Sequence, residues 1–446
     1  MLKSGARCAS LAGPSRMSTR RLTTSSPLWV NERGERLILG IETSCDDSCA
    51  AIVAAPQSYS ANSIASTSKL TLDGPFPTPS SHKPGPRLLT SIVKRQDHGA
   101  TSGIHPLVAQ HNHMASLPYA IRECLSKGNI SPDGREVDAI AVTQGPGMNG
   151  CLSVGLTAAK TLAAAWGKPL IPVHHMEAHA LTPFLTEAEK GGETALPLTF
   201  PFLTLLLSGG HTMLVLASGV GSYTILASTS DDSIGDAFDK AARLLAIPTD
   251  WMRNSPGASL EAFAASRSEE GEEIGAAALK PLMKHSPFAK RPEFSYSGLK
   301  SALKTRMQQL GDGEAPIATR RAIAALFQST AIDQVIDKVR LALDPNEACD
   351  AVWSRESLSA LREVRHLVVS GGVASNGELR RRLGEVWSQA EGKYLVFPPL
   401  ALCVDNAAMI AHVGTLRYLD TLAGGEERQR QAFGALPRSK WSLEDL

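Results

Sequence analysis

The sequence predicts an α/β protein, and three observations lead to this fold class. The chain has 446 residues, which is long for one small core and favours two domains or one bilobed unit. An apolar run at 137–142 has the length of a buried strand and precedes a glycine-rich loop at 143–150 and a small-residue helix at 151–166. Two apolar strands, at 202–207 and 366–369, lead into the same tripeptide, Ser-Gly-Gly. A strand, a glycine loop and a helix in succession are typical of folds that bind phosphate on backbone N–H groups.

The composition is that of an ordinary globular protein, with 43% apolar and 20% charged residues. The net charge of +1 excludes a protein that binds nucleic acid through bulk charge alone, although a local basic patch remains compatible with it. Apolar runs stay well below the roughly 20 residues that a transmembrane helix needs, so we expect no membrane-spanning segment and no membrane partner. The seven cysteines are scattered and odd in number, which favours free thiols in a reducing compartment.

Residues 1–33 are predicted to be a mitochondrial transit peptide, which would place the mature protein in the matrix. Serine and threonine are frequent there, and the stretch 1–31 contains no acidic residue. A disordered basic tail is the alternative, but the basic stretch stops where the first strand is about to begin, which favours the transit peptide. The basic side chains are Lys3, Arg7, Arg16, Arg20 and Arg21.

Apolar runs at 36–42 and 49–54 flank a polar turn and predict a hairpin with Asp46 and Asp47 at its tip. Acidic residues in a turn are usually turn formers only. In nucleotide-binding folds, however, such a tip faces phosphate, and a carboxylate there would hold a cation or a water. The following segment, 56–90, is rich in serine, proline and threonine, and we expect it to be a disordered or loosely packed insertion.

A helix is predicted to begin near His175, after the proline-punctuated apolar run 168–173. Residues four apart lie on the same helix face, so His175 and His179 could direct two imidazoles at one divalent metal ion. The alternative is that both side chains only cap or line the helix. Glu177 follows His175 by two residues, at about 100° per residue, and lies on the opposite side of the helix. That placement excludes the zinc-protease arrangement, in which the glutamate directly follows the first histidine.

Two further carboxylates are candidate ligands. Asp239 comes late in the acidic stretch 231–239, so we interpret it as a ligand for hydroxyl groups rather than as a partner of the helix dipole. Asp405 precedes an apolar helix, where it is either an N-cap or a carboxylate that completes a two-histidine metal site. His111 and His113 are two residues apart, do not share a helix face, and are interpreted as structural.

Basic and aromatic residues are interleaved in the segment 284–306, a pattern that can serve an RNA surface. A solvated helix face explains the same pattern equally well. The residues concerned are Lys284, Lys290, Arg291, Lys300, Lys304 and Arg306, with Phe288, Phe294 and Tyr296 among them, and with Arg320, Arg321 and 380–382 as further candidates for the same face.

The motifs together resemble one family, the tRNA threonylcarbamoyladenosine transferases. The resemblance covers residues 36–415 in the family's order, and the basic start is similar to that of its mitochondrial branch. The insertion at 56–90 departs from the family's pattern, and so does Ala258, which follows Gly257 where many members have a second glycine. The matching motifs are GIETSCDD at 40–47, QGPG at 144–147, HMEAH at 175–179, SGGHT at 208–212, DAFDK at 236–240, FSYSGLK at 294–300, SGGVASN at 370–376 and DNAAMIA at 405–411.

The resemblance implies an actin-like ATPase fold of the ASKHA class. In such a fold two lobes each contain a mixed sheet flanked by helices, and the ligand binds in the interlobe cleft. The first lobe would comprise 34–172, including the insertion 56–90, and the second lobe 173–404. Residues 405–446 would form a C-terminal helix that returns to the first lobe, followed by a tail.

The resemblance also implies a reaction. A threonylcarbamoyl group would pass from threonylcarbamoyl-adenylate to N6 of the adenosine 3′-adjacent to the anticodon, in mitochondrial tRNAs that read codons starting with A, and AMP would leave. A separate synthase would make the adenylate, and the transferase would act as a homodimer.

Particular residues carry these implied roles. One divalent metal ion per subunit, iron or zinc, would be held by His175, His179 and Asp405. Asp46 and Asp47 would lie near the reacting group and would position or deprotonate the attacking amine. Contacts to the adenylate would come from Leu206, Leu207, Ser208, Gly209, Gly210, Asp239, Gly257, Glu261 and Asn376.

Two other functions compete with the transferase. A kinase or ATPase on the same fold would need a phosphoryl acceptor site, and a two-histidine metal helix is not part of that design. A scaffold protein that keeps only the fold would be expected to have lost the metal residues, yet all three are present. The sequence therefore favours the transferase.

Overall fold

The computed structural model describes residues 34–65, 85–96, 104–190, 198–253, 255–266, 281–282, 291–311, 315–344 and 353–446. The segment 1–33, with its predicted transit peptide, lies outside the described residues, as do positions 66–84 of the predicted insertion. Within the described part of the chain, no helix is both long enough and apolar enough to cross a membrane.

The first part of the chain forms a mixed five-stranded sheet with helices on its faces. Its elements are β1 Glu35–Glu42, β2 Ser48–Pro56, α1 Ala61–Ala65, β3 Arg87–Lys94, α2 Pro106–Lys127, β4 Ala139–Gly145, α3 Asn149–Trp166, β5 Leu170–His174 and α4 His175–Lys190. The strand order is β3-β2-β1-β4-β5. β2 is antiparallel to β1 and to β3, whereas β4 is parallel to β1 and to β5.

The second part of the chain forms a mixed six-stranded sheet in the order β11-β10-β6-β7-β8-β9. The last two helices, α12 and α13, follow this sheet in sequence. The elements are β6 Phe202–Leu207, β7 Thr212–Gly219, β8 Ser222–Thr229, α5 Ile234–Leu244, α6 Pro256–Ala265, β9 Glu293–Phe294, α7 Ser297–Gln309, α8 Ile317–Leu343, α9 Arg355–Glu363, β10 His366–Ser370, α10 Gly377–Trp387, β11 Tyr394–Val396, α11 Leu400–Cys403, α12 Ala407–Ala423 and α13 Gly425–Gly434.

The two sheets repeat one topology. In each sheet, an antiparallel meander (β1-β2-β3 or β6-β7-β8) is extended beside its first strand by two parallel strands (β4 and β5, or β10 and β11). The prediction of an α/β protein with two mixed sheets flanked by helices is confirmed. The two Ser-Gly-Gly turns both belong to the second sheet. They lie together because β6 and β10 are parallel neighbours and both turns leave the same end of that sheet.

Helices α4 and α12 lie between the two sheets, and the alternation of strand side chains accounts for this position. In the second sheet, Leu205 faces the outer core, whereas Leu206 faces the layer that contains α4 and α12. In the first sheet, Ile38 faces that same layer, whereas Leu39 faces the outer helices α2 and α3. Both sheets are therefore apolar on both faces, as their near-continuous hydrophobic runs require.

Both ends of the predicted insertion 56–90 carry regular structure. β2 continues to Pro56, α1 follows it, and β3 begins at Arg87 and pairs with β2 as an edge strand. Tyr59 and Ile64 are buried in the layer between the sheets. The polar composition of the segment as a whole concealed these short elements, because each adds only a few apolar residues.

The predicted basic and aromatic surface at 284–306 is only partly present. Phe294 and Tyr296 are fully buried in the core of the second sheet, since Phe294 ends β9 and Tyr296 directly precedes α7. Arg320 is also buried and donates to the carbonyl oxygens of Leu245 and Ala246. These residues belong to the interior and not to an RNA surface. Lys284, Phe288 and Lys290 lie outside the described residues.

Glycine allows α12 to pack directly on β1 and β4. A Cβ atom at Gly40 would lie 2.2 Å from the carbonyl oxygen of Ala407, and one at Gly414 would lie 2.5 Å from the Cβ atom of Ala141. Both distances are shorter than van der Waals contact, so only glycine fits at either position. Because Asp405 comes just before α12, this contact determines where its carboxylate lies.

We expect Gly40→Ala to lower the free energy of unfolding by about 2 kcal/mol or more, because the added methyl group must push α12 away from β1. Chemical denaturation measures this change. The matched control is Gly384→Ala inside α10, where a Cβ atom meets nothing within 4 Å. It should raise stability by about 0.5–1 kcal/mol. Equal effects of the two substitutions would contradict the packing argument.

Candidate metal centre

Two histidines stand one turn apart at the start of α4. β5 ends at His174 and α4 begins with His175. The imidazole rings of His175 and His179 lie edge to face, with their centroids 4.8 Å apart. Both Nε2 atoms face one carboxylate oxygen, Oδ1 of Asp405, at 3.4 Å from His175 and 3.0 Å from His179. The structure therefore brings the three predicted metal ligands together.

Asp405 is free for this role because its neighbour caps the helix. The side chain of Asn406 accepts a hydrogen bond from the Met409 amide at 3.0 Å and is the N-cap of α12. The alternative reading of Asp405 as an N-cap is therefore wrong. Its side chain keeps 28% of its surface exposed, against 7% for His175 and 2% for His179, so the cluster opens to solvent on the carboxylate side.

Further polar groups fix the orientation of the two imidazoles. Nδ1 of His175 lies 3.0 Å from a carboxylate oxygen of Glu42, which ends β1. Nδ1 of His179 lies 3.4 Å from the hydroxyl of Ser370, which ends β10. Glu42 also accepts hydrogen bonds from the Thr143 hydroxyl and the Ser44 amide. An outer carboxylate or hydroxyl on the far ring nitrogen is the usual support of a metal-binding histidine.

Opposite charges stabilise the cluster. Burial opposes ionisation of Asp405, but the imidazoles of His175 and His179 outweigh it and hold the pKa of that carboxyl well below its usual range. Burial likewise opposes protonation of His175, yet the carboxylates of Glu42 and Asp405 raise its pKa to about 10. The site thus favours positive charge between its carboxylates, as a cation-binding site must.

The donor set fits a divalent metal. The ligand atoms of His175, His179 and Asp405 all lie within 4.8 Å of one another. Two imidazole nitrogens and one carboxylate oxygen suit zinc or iron, and three protein ligands leave a coordination position for a substrate.

Glu177 takes no part in this centre. Its fully buried carboxylate lies 2.6 Å from the Arg417 guanidinium and accepts a hydrogen bond from the Gly221 amide at 2.9 Å. Glu177 therefore joins α4 to α12 and to the β7–β8 turn, away from the histidine face. The zinc-protease arrangement is excluded, as the helix geometry predicted.

The hairpin tip with Asp46 and Asp47 lies in the electrostatic field of the metal centre. Burial raises the pKa of Asp47 to about 6, and the Asp46 and Asp405 carboxylates add to the increase, while the Arg95 guanidinium opposes it. A carboxyl group that titrates near neutral pH is suited to proton transfer.

The two Ser-Gly-Gly turns flank each other at the edge of the second sheet. Gly371 has φ +96°, and a Cβ atom there would lie 2.3 Å from the carbonyl oxygen of Leu207, so the two turns touch through their backbones. The side chains of Leu206 and Leu207 are buried in the core. These two predicted adenylate contacts can be made only by backbone groups, whereas Gly209 and Gly210 are exposed.

Four other predicted adenylate ligands lie on or at the start of α5, α6 and α10, and two hydrogen bonds link these helices. Asp239 accepts from the Gly257 amide at 2.8 Å, and Glu261 accepts from the Gly377 amide at 2.6 Å. Asn376 is the N-cap of α10 and directly precedes Gly377. The side chain of Asn376 is buried and bonded to Gln328 and to the Leu379 amide. Asp239 and Glu261 each keep a second carboxylate oxygen for a ligand.

Comparison with known proteins identifies the family. A family model described as tRNA N6-adenosine threonylcarbamoyltransferase matches residues 87–412. A relative of that name from Chelativorans sp. (strain BNC1) is 37% identical over 412 residues, which cover 92% of this chain and 95% of the relative. A relative of the same name from Bartonella tribocorum is 37% identical over 415 residues, which cover 92% of this chain and 95% of the relative. The chain belongs to this family.

A third member of the threonylcarbamoyltransferase family, from Anaeromyxobacter dehalogenans (strain 2CP-1), is 34% identical over 382 residues, which cover 85% of this chain and 93% of the relative. The family's metal dependence agrees with a possible metal site at His175, His179 and Asp405.

Sequence reasoning missed two residues that support the centre. Glu42 is the last residue of an apolar strand, and Ser370 belongs to a glycine turn. A charged residue at the end of a buried strand was the available signal for Glu42, whereas Ser370 gave none, because its role depends on how α4 lies against β10.

We expect His179→Ala to remove the metal, because only two ligands remain. We expect Glu42→Gln to lower metal affinity by about 10- to 100-fold, because the His175 ring loses its carboxylate partner. Elemental analysis of the purified protein and competition with a chelator measure both effects. The control is His111→Ala, an exposed histidine on α2. Full metal content in His179→Ala would refute the ligand assignment.

Proposed function

We propose that this protein transfers a threonylcarbamoyl group from threonylcarbamoyl-adenylate to N6 of the adenosine 3′-adjacent to the anticodon of tRNA, with release of AMP. The observation that carries the proposal is the convergence of His175, His179 and Asp405 beside the Ser-Gly-Gly turn of β10. Membership in the threonylcarbamoyltransferase family supports the same reaction.

The proposed reaction needs no covalent nucleophile on the protein. The threonylcarbamoyl group is already activated, because it forms a mixed anhydride with the phosphate of AMP. The N6 amine attacks the carbamoyl carbon, the bond from that carbon to the phosphate oxygen breaks, and AMP leaves with the bonding electrons. One proton must also leave N6. Asp46 and Asp47 are the carboxylates that we assign to positioning the amine and accepting this proton.

The other residues bind and orient the adenylate. Exposed glycines in the Ser-Gly-Gly turns let backbone N–H groups approach phosphate without interference from a Cβ atom. The free oxygen of Asp239 can accept hydrogen bonds from ribose hydroxyls. When bound, a divalent cation such as iron or zinc would stabilise negative charge on the phosphate or carbonyl oxygen. Glu42 and Ser370 hold the imidazoles that such a cation needs.

The fold, the compartment and the partners complete the proposal. The repeated sheet topology supports an actin-like fold of the ASKHA class, with the adenylate between its two lobes. The acid-free basic start of the chain supports a mitochondrial matrix protein, and hence mitochondrial tRNAs that read codons starting with A. The resemblance to the mitochondrial branch supports a homodimer that receives its adenylate from a separate synthase.

A transfer assay tests the reaction. Purified metal-loaded protein, threonylcarbamoyl-adenylate and an unmodified tRNA should yield threonylcarbamoyladenosine and an equal amount of AMP, measured by mass spectrometry of nucleosides and by chromatography. Asp405→Ala should abolish both products together. No modified adenosine from protein with full metal content would refute the proposal.

The rate of transfer should depend on the ionisation of Asp47. Its pKa is raised from 3.8 to about 6, so the carboxyl group is increasingly protonated, and unable to accept a proton, as the pH falls below 6. We expect kcat of metal-loaded protein to fall by about tenfold per pH unit in that range. The Asp47→Asn variant should be slower, and its kcat should lose this dependence on pH. Asp46→Asn should keep this pH dependence but shift it to lower pH, because the Asp46 carboxylate raises the pKa of Asp47. If the dependence of kcat on pH is unchanged in Asp47→Asn, another group accepts the proton.

A further inference from the structure

A basic cavity lies on the second sheet's side of the molecule, next to the surface assigned to the adenylate. Its volume is about 300 Å³, and it opens between α5 and α7. The lining residues are Lys240, Arg243, Leu244, Lys300, Ser301 and Lys304. Four of these six side chains are cations, and none of the six is acidic or aromatic.

Two of the four cations are held in place by carboxylates. Asp232 lies 2.5 Å from the ammonium of Lys300 and 3.3 Å from that of Lys240, and Asp236 lies 2.5 Å from Lys240. The arrangement fixes two lysine side chains that would otherwise be flexible.

The other two cations, Arg243 and Lys304, make no ion pair within the described part of the chain. Both side chains are exposed, and Arg243 is attracted to the carboxylate of Asp239 only at longer range. Among the described residues, Arg243 and Lys304 are therefore the two cations of the cavity that no carboxylate neutralises at contact distance.

The cavity shares a helix with the adenylate surface. On α5, Asp239 contacts the Gly257 amide on α6, whereas the next residue, Lys240, lines the cavity beside α7. The start of α7 is held firmly, because the carboxylate of Asp231 accepts hydrogen bonds from the Tyr296 amide at 2.8 Å and the Ser297 amide at 3.3 Å. The start of α7 is therefore held next to the segment that precedes α5, and the basic residues of both helices border one cavity.

We infer that the cavity formed by Lys240, Arg243, Lys300 and Lys304 binds backbone phosphates of the tRNA near the target adenosine. This inference rests on the proposed function, because it assumes that tRNA is the acceptor. Lysine and arginine side chains are common ligands of phosphate oxygens, and contacts to phosphate position a nucleic acid without reading its sequence. The cavity would therefore position the anticodon arm of any substrate tRNA, and would leave the choice of sequence to other contacts.

The double variant Arg243→Gln and Lys304→Gln tests the inference, because it removes the two cations that lack an ion pair. Its matched control is Arg122→Gln with Lys127→Gln, two exposed basic residues on α2 of the first sheet. Filter binding of unmodified tRNA at several salt concentrations gives the dependence of log Kd on log salt concentration. The slope should decrease by about two in the cavity variant and stay unchanged in the control, since each lost phosphate contact removes about one unit.

The kinetic readout separates tRNA binding from chemistry. In the cavity variant the KM for tRNA should rise by about tenfold at physiological salt, while kcat and the KM for threonylcarbamoyl-adenylate stay at wild-type values. If the double variant unfolds, as judged by thermal melting, the single variant Lys304→Gln replaces it, with a slope change of about one.

Three results would overturn the inference. The first is an unchanged salt slope in a folded cavity variant. The second is an equal loss of slope in the control, which would indicate diffuse attraction. The third is calorimetric binding of pyrophosphate that the variant loses without any change in tRNA binding, which would assign the cavity to a free phosphate ligand. Filter binding needs no turnover. If the salt slopes change as expected but no transfer activity is found, the result counts against the proposed reaction and not against the tRNA-binding cavity.

Discussion

The contact between the backbones of α12 and β1 is the constraint on which the rest of the structure depends. Gly40 and Gly414 lack the side chains that would separate the helix from the sheet. Because α12 lies this close, its N-terminus reaches the first turn of α4, and Asp405 meets His175 and His179. The candidate metal centre thus depends on helix–sheet packing for Asp405, whereas the helical repeat of α4 alone brings His175 and His179 together.

Burying this many ionisable groups requires that each has a partner. An isolated buried carboxylate or imidazolium is costly, and removal of one member of a buried pair leaves the other uncompensated. Here Glu42 and Asp405 flank His175 from its two ring nitrogens, and Thr143 and Ser44 donate to Glu42. His175 thus lies as a donor between two acceptors, Glu42 and Asp405. This pairing lets the cluster remain buried while the Asp405 carboxylate stays partly exposed to solvent.

Much of the fold could be predicted from the sequence because its signals are local. The strands at 36–42 and 202–207 consist mostly of apolar residues, and the face shared by His175 and His179 follows from the helical repeat alone. The hydrogen bond that Glu42 accepts from His175 could not be predicted in this way, because 133 residues separate the two in sequence. The prediction of an RNA surface at 284–306 was wrong in part for a related reason. Phe294 and Tyr296 look like surface aromatics in sequence, but tertiary packing places them in the core.

The two histidines of α4 are anchored to different sheets. His175 is held by Glu42 on β1, whereas His179 is held by Ser370 on β10. A hinge motion that rotates one sheet against the other would therefore turn the two imidazoles by different amounts. Such a rotation would change the coordination geometry of a bound ion. The spectrum of a substitute ion such as cobalt would therefore report the relative rotation of the two sheets.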